Sequence, residues 1–234
     1  MPNVLVTGIH RSGTSVLSHL LARVTGLTLL DDPQWAVGSA QDILSYRHHG
    51  ERLRDMLKYE IVKCPRMCEH LCEVMSDFPG MRVTIALRDP RDVWASVIEK
   101  VKLRRPTRML DNERFGAAPT PLDGFLLQAK HCYRKISETT ARYPNLVRVV
   151  IYEDFCEDKQ IMINNILGWL RYECISPLAQ ADLNKQYGPL GHKRQPYIIH
   201  GTGRWTTDIS EEEADTIWAS LGARYMNLRG LARV

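Results

Sequence analysis

Apolar and polar positions along this chain switch repeatedly between two spacings, a short continuous run and a helical stripe. Asn3 to Thr7 (NVLVT) form an apolar run that stops at Gly8. A loop, GIHRSGTS, follows, and then VLSHLLARV carries apolar residues at helical spacing. This reads as strand, glycine-bearing loop, helix. A second short run, Leu27–Leu30, leads into Asp31-Asp32-Pro33, which predicts a loop. Residues 41–58 are polar with helical spacing, and Glu60–Lys63 predicts a short strand ending at Cys64-Pro65. A helix is expected over 67–76, and a turn at Pro79-Gly80. Arg82–Leu87 (RVTIAL) predicts a strand, and Pro90 suits the first turn of a helix running to about residue 100. Residues 101–122, with Pro106, Gly116, Pro119 and Pro121, predict a long loop. A helix over 122–142, a strand Leu146–Tyr152 and a helix over 158–171 come next. Residues 176–209 are irregular, and Ser210 with Glu213 three residues on forms a capping box for a last helix.

Strands alternate with helices without a break, which predicts an α/β fold. The expected architecture is three layers, with a central, mostly parallel sheet flanked by helices, in a single domain over 1–234. Composition changes this picture little. The formal net charge of +4 suits an anionic ligand but does not argue for nucleic acid. The start, MPNVLVTG, has no basic segment followed by a long apolar one, so no secretory signal is expected. No apolar run reaches the roughly 18 residues of a membrane span. A cytoplasmic protein is the expectation. The six cysteines read as reduced thiols. Cys68 and Cys72 lie four apart on an expected helix, which predicts a buried face, and no metal site is expected. Oligomeric state is left open.

Two segments carry chemistry. In the first, Arg11, Ser12, Gly13, Thr14 and Ser15 lie between the first strand and the first helix. Backbone N–H groups at a helix start bind anions, and the helix dipole assists them. Gly13 permits close backbone approach, Thr14 and Ser15 add hydroxyls, and Arg11 adds a cation. The spacing of Gly8 and Gly13 matches an ATP-binding loop, but Thr14 stands where that loop needs lysine. The cation has moved to Arg11, which weakens a Mg-dependent triphosphatase reading. The second segment is LRDPRDVWAS, residues 87–96. Arg88 ends a strand, where open α/β sheets bind ligands. Ser96 lies about two helical turns further on.

Together and in this order, the two segments resemble those of the PAPS-dependent sulfotransferase family, where PAPS is 3′-phosphoadenosine 5′-phosphosulfate. HRSGTS resembles that family's 5′-phosphosulfate loop. LRDPRDVWAS resembles its 3′-phosphate motif, including the step from Arg88 to Ser96. Tyr152-Glu153-Asp154-Phe155 resembles a segment that contacts adenine, and Gly203-Arg204-Trp205 one that closes over the nucleotide. The resemblance implies a P-loop-type fold and sulfuryl transfer from PAPS to an acceptor hydroxyl, leaving PAP, with no metal required. It implies that residues 11–15 hold the 5′-phosphate, with Arg11 beside the bridging oxygen, where charge develops as the S–O bond breaks. Arg88, Ser96 and Arg204 are implied as 3′-phosphate ligands, with Tyr152 at the adenine and Trp205 in the closing segment.

The acceptor also needs a base. Many family members use a histidine in a K-x-H segment. Here that stretch is Lys63-Cys64-Pro65, so the usual assignment fails. Other members, often acting on sugars, use a carboxylate just after the first helix. Asp31-Asp32-Pro33 stands there, which makes Asp32 the candidate base ahead of Asp31; turn chemistry is the plain alternative for the pair. Lys63 either lines the acceptor site or ends a strand in solvent. Lys102, Arg104, Arg105 and Arg108 are either a solvated loop or a surface for an anionic acceptor. A small-molecule acceptor, a sugar or natural-product hydroxyl, is favoured. The main alternative is a P-loop small-molecule kinase, which predicts ATP and Mg dependence. A nucleic-acid-binding module predicts interleaved aromatic and basic residues, a pattern absent here. A family-like fold without activity is a further alternative.

Overall fold

The strands of the computed structural model are mostly apolar, because helices pack on both faces of the sheet; at its edge, Leu29 and Leu30 are only partly buried. The described residues are 3–32, 58–102, 118–178 and 202–232. The polar helix expected over 41–58, with His48-His49, lies almost entirely outside them. So do Arg104, Arg105 and Arg108 and most of 176–209.

The strands are β1 (Val4–Gly8), β2 (Leu29–Asp31), β3 (Ile61–Lys63), β4 (Arg82–Leu87) and β5 (Val147–Ile151). Their order across the sheet is β2-β3-β1-β4-β5, and each neighbouring pair is parallel. The carboxyl ends of all five strands therefore lie along one edge. The chain fills the sheet from β1 to one side, then crosses to β4 on the other. This reversal of winding opens a crevice beside β1, where such sheets bind ligands.

Period-two alternation sends side chains to two cores. Val4, Val6, Ile61 and Val150 face helices α1 (Thr14–Thr25) and α6 (Lys159–Leu170). Leu5, Val62, Val83, Ile85, Val147 and Val149 face the other layer. That layer is built from α2 (Leu71–Asp77), α3 (Pro90–Lys102), α4 (Pro121–Arg142) and α8 (Glu211–Leu231). Two short helices, α5 (Tyr152–Glu157) and α7 (Trp205–Asp208), complete the described set. The expected three-layer α/β architecture is thus the observed one, with an entirely parallel sheet among the described strands.

Several boundaries depart from expectation. The loop expected over 101–122 is helical at both ends. α3 runs on to Lys102, and α4 starts at Pro121 behind a Thr120–Asp123 capping box. Pro121 occupies the first helical turn, where its missing N–H costs nothing. The helix expected over 67–76 is a 3-10 turn over Pro65–His70 followed by α2. Tyr152 opens α5 rather than ending β5. Asp31 is the last residue of β2, not a loop residue. The irregular stretch before Ser210 contains α7, while the capping box at Ser210 and Glu213 forms as expected. Cys64, Cys68 and Cys132 are buried, and no disulfide joins any of the six cysteines. Among the described residues, no helix is long and apolar enough to cross a membrane.

Candidate functional site

The two chemistry-bearing segments lie more than 70 residues apart in the chain and meet at the edge of the sheet. The Arg11 Nε donates to Ser96 Oγ at 2.9 Å. Arg88 Nη1 donates to the Arg11 carbonyl at 3.1 Å. The junction exists because β1 and β4 pair directly, with Gly8 beside Ala86. The loop after β1 and the strand end carrying Arg88 are thus neighbours.

The loop's path depends on two glycines and one strained arginine. Gly8 lies against the Ala86 carbonyl, where a Cβ would approach to 2.3 Å. Gly13 has φ 98 and lies under the Tyr152 ring, where a Cβ would stand 2.2 Å from Cδ2. A Gly13→Ala variant is expected to lose about 1–2 kcal/mol of stability, from the positive φ and the displaced ring. A thermal melt showing an unchanged Tm would contradict this packing. Arg11 holds φ 74, an uncommon conformation for a residue with a side chain. Among the described residues, the other non-glycine positions of this kind are Asp32 and Arg171. Arg171 merely ends α6. The other two carry candidate chemistry, a clustering common where strain is part of function.

Gly13 precedes α1, and no side chain caps that helix start. Its first-turn N–H groups face the end of the sheet, with the positive end of the helix dipole behind them. Ser12 is buried, and its hydroxyl has no hydrogen-bond partner among the described residues. Thr14 is buried and Ser15 is partly exposed, both in the first turn of α1.

The electrostatics are those of an anion site. Burial lowers the pKa of the Arg11 guanidinium from its ordinary value, and Arg88 and Arg204 add repulsion; Glu99 opposes them. An arginine stays charged under such pressure, and carboxylates stand beside the cluster, Asp92 3.9 Å from Arg88 and both Glu99 and Asp208 on Arg204. The Arg88 guanidinium lies 4.8 Å from the Tyr152 ring centroid. Burial pushes the Tyr152 phenol up from its usual range, which keeps it neutral at physiological pH. Tyr152 therefore contacts both the loop and Arg88.

A second cluster lies on the far side of β1, at the ends of β2 and β3. Lys63 is 3% exposed, so it does not end its strand in solvent. Its ammonium is 3.0 Å from Asp31 Oδ1 and 2.5 Å from Asp32 Oδ2. The two carboxylates differ in access, since the Asp31 side chain is 5% exposed and that of Asp32 29%. Asp31 also lies 3.4 Å from His19 Nε2 on α1, whose Nδ1 is 2.9 Å from the Ser15 carbonyl. The acidic cluster is therefore tied to the loop before α1 through one turn of that helix.

The segment 203–205 is anchored by its backbone. Gly203 N and Trp205 N donate to the two oxygens of Asp92 at 2.8 and 3.0 Å. Arg91 is gripped by Asp89, at 3.0 and 2.6 Å, and lies between two indoles. Its guanidinium carbon is 4.0 Å from the Trp205 ring centroid and 4.1 Å from that of Trp218. Trp205 is thus occupied by Arg91. Glu153, next to Tyr152, accepts from Asp89 N and from the Tyr225 hydroxyl at 2.8 and 3.1 Å. Burial raises its pKa, while those two donors oppose the rise.

No family model matches the sequence, and no curated protein does. Solved structures do match over most of the chain. A sulfotransferase from Alicyclobacillus acidocaldarius superposes with a TM-score of 0.63 at 14% identity, covering 100% of this chain and 96% of that one. The fold is that of the sulfotransferases. The sulfotransferase domain of the curacin biosynthetic pathway gives a TM-score of 0.56 at 13% identity, covering 95% of this chain and 98% of its own. A sulfotransferase from Mycobacterium avium gives 0.52 at 14% identity, covering 94% and 76%. Within this sulfotransferase fold, Arg11, Ser96, Arg88 and Tyr152 form one contiguous group, with Gly13 beneath the Tyr152 ring. Lys63, Asp31 and Asp32 form another.

Sequence reasoning missed His19, Asp92, Glu99 and Glu153. Glu99 had a legible signal, because it lies three residues after Ser96 on a helix and so shares its face. Asp92 and Glu153 hold partners 111 and 72 residues away, which no local pattern announces.

Proposed function

We propose that this protein transfers a sulfuryl group from PAPS to a hydroxyl of a small-molecule acceptor. The observation that carries this reading is the contact of Arg11 with Ser96, which brings two phosphate-binding segments into one site. A ligand with phosphoryl groups at two ends suits such a pair; a nucleoside triphosphate, with its charge at one end, does not. The donor set fits as well. An uncapped helix start, the hydroxyls of Ser12, Thr14 and Ser15, and the cations Arg11 and Arg88 all serve oxyanions.

In this reading the start of α1, with Thr14 and Ser15, holds the 5′-phosphate, and Arg88 with Ser96 holds the 3′-phosphate. Tyr152 lies at the adenine. Arg204 joins the 3′-phosphate group, and Trp205 fixes the closing segment. The acceptor oxygen forms a new bond to sulfur as the bond from sulfur to the 5′-phosphate oxygen breaks. Arg11 stabilises the charge left on that oxygen, and PAP departs. Asp32 takes the acceptor proton. Lys63 engages both carboxylates; the greater exposure of Asp32 favours it over Asp31, which is buried and also faces His19. Lys63, buried beside the pair, orients Asp32. The acceptor is a sugar or natural-product hydroxyl, and the basic segment from Lys102 to Arg108 accommodates an anionic one.

Calorimetry with PAP and no added Mg tests the reading, with ATP as the comparison ligand. Tight PAP binding with weak ATP binding is the expected result. Preference for ATP with Mg would move the protein to the phosphotransferases.

A further inference from the structure

Glu99 is a carboxylate where an anion site should have none. It lies three residues after Ser96 on α3, hence on the same face of that helix. Its field reaches Arg11. Its Oε2 accepts from Arg204 Nη1 at 3.1 Å. Arg204 is held from its other side as well, since Nε and Nη2 both donate to Asp208 Oδ2, at 2.9 and 2.5 Å. The two carboxylates are not equivalent. Asp208 is four residues from Arg204 on the same short helical segment, so it travels with the arginine. Glu99 belongs to a different element and holds the arginine to α3.

We propose that Glu99 is an internal counter-ion of the nucleotide site, occupying Arg204 Nη1 until the 3′-phosphate of the nucleotide takes its place. The proposal rests on the PAPS reading and deepens it. Three arginines, Arg11, Arg88 and Arg204, lie close enough to repel; Asp92 accompanies Arg88 and Asp208 accompanies Arg204, while Glu99 is the carboxylate that offsets the charge at Arg11. A dianionic phosphate at Arg88 and Ser96 then meets Glu99 as a like charge one helical turn away. Binding exchanges one anion for another on Arg204, while the Asp208 fork keeps the guanidinium oriented. Glu99 thereby sets affinity and selectivity. A ligand without a 3′-phosphate cannot displace it, and such a ligand leaves Arg204 in its resting pair.

The test is a pair of titrations on wild type and Glu99→Gln, one with PAP and one with adenosine 5′-phosphosulfate, which lacks the 3′-phosphate. The Glu99 side chain is 43% exposed, so the variant is expected to fold. Glu99→Gln is expected to bind PAP about three- to five-fold more tightly at low salt, the scale of one partly screened charge. The gain shrinks as salt is added and is absent with adenosine 5′-phosphosulfate. Unchanged or weaker PAP binding by the variant would overturn the counter-ion role, as would an equal gain with both ligands. Wild-type protein that binds no PAP would remove the nucleotide reading itself, and the role of Glu99 with it. Asp208→Ala supplies the opposite sign, because removing the oxygen that accepts from both Nε and Nη2 of Arg204 releases the guanidinium and weakens PAP binding. A gain there instead would show that any nearby carboxylate merely repels the ligand, against the exchange proposed for Glu99.

Discussion

Arg88→Ala is expected to weaken PAP binding by about 100-fold, the upper range for hydrogen bonds to a charged group. Arg88 is 6% exposed at the end of β4 and forms the centre of the site. It donates to the Arg11 carbonyl, lies over Tyr152, and is 3.9 Å from Asp92. Two effects are therefore mixed in the substitution, the lost ligand contact and the loosened loop. Adenosine 5′-phosphate separates them, because it keeps the 5′ end and lacks the 3′-phosphate. A loss confined to PAP places Arg88 on the 3′-phosphate. An equal loss for both ligands would mean that Arg88 acts by supporting the strained backbone at Arg11.

The second large effect is expected at Asp32. Asp32→Asn is isosteric and keeps a hydrogen-bonding group beside Lys63, but it cannot take a proton from an acceptor. Turnover with PAPS and a competent acceptor is expected to fall by about 10²–10⁴, the usual contribution of a positioned general base. PAP affinity is expected to stay near that of wild type, since Asp32 lies beyond β3 from the Arg88 cluster. A variant retaining full turnover would remove Asp32 from the mechanism and leave it as the partner of Lys63. Asp31→Asn provides the contrast. Asp31 is buried against Lys63 and His19, so its loss is expected to show first as a lower Tm.

The sheet was legible in the chain because buried parallel strands announce themselves as short apolar runs bounded by glycine, proline or charge. NVLVT, EIVK, RVTIAL and LVRVVIY all became strands within a residue or two. The loop from Arg11 to Ser15 was legible for the same reason, as a polar interruption between a strand and a helical stripe. What stayed hidden was partnership. Composition at Lys63 allowed either a ligand-facing or a solvent-facing ammonium. Only the parallel pairing of β2 with β3 brings Asp31 level with it and buries it. Pro121 looked like a loop residue until Thr120 and Asp123 made it the opening of a helix. Trp205 was read only as part of a closing segment. Its ring is engaged by Arg91, which Trp218 also contacts because α8 returns to α3 across the outer layer. Local pattern reports what each segment is, and long-range pairing decides what each side chain does.

The contact of Arg11 with Ser96 spans 85 residues of chain, and Asp92 reaches Gly203 across 111. Neither can form in a fragment that lacks one of its halves. The Arg11–Ser96 contact also needs β1 and β4 side by side, and pairings across a long crossover are slow because long loops must close first. The candidate site is therefore expected to assemble only after β1 and β4 have paired. Should the proposed nucleotide bind there, its affinity would report that this pairing is intact. A nucleotide that binds this site would stabilise the finished fold by mass action without guiding the earlier steps.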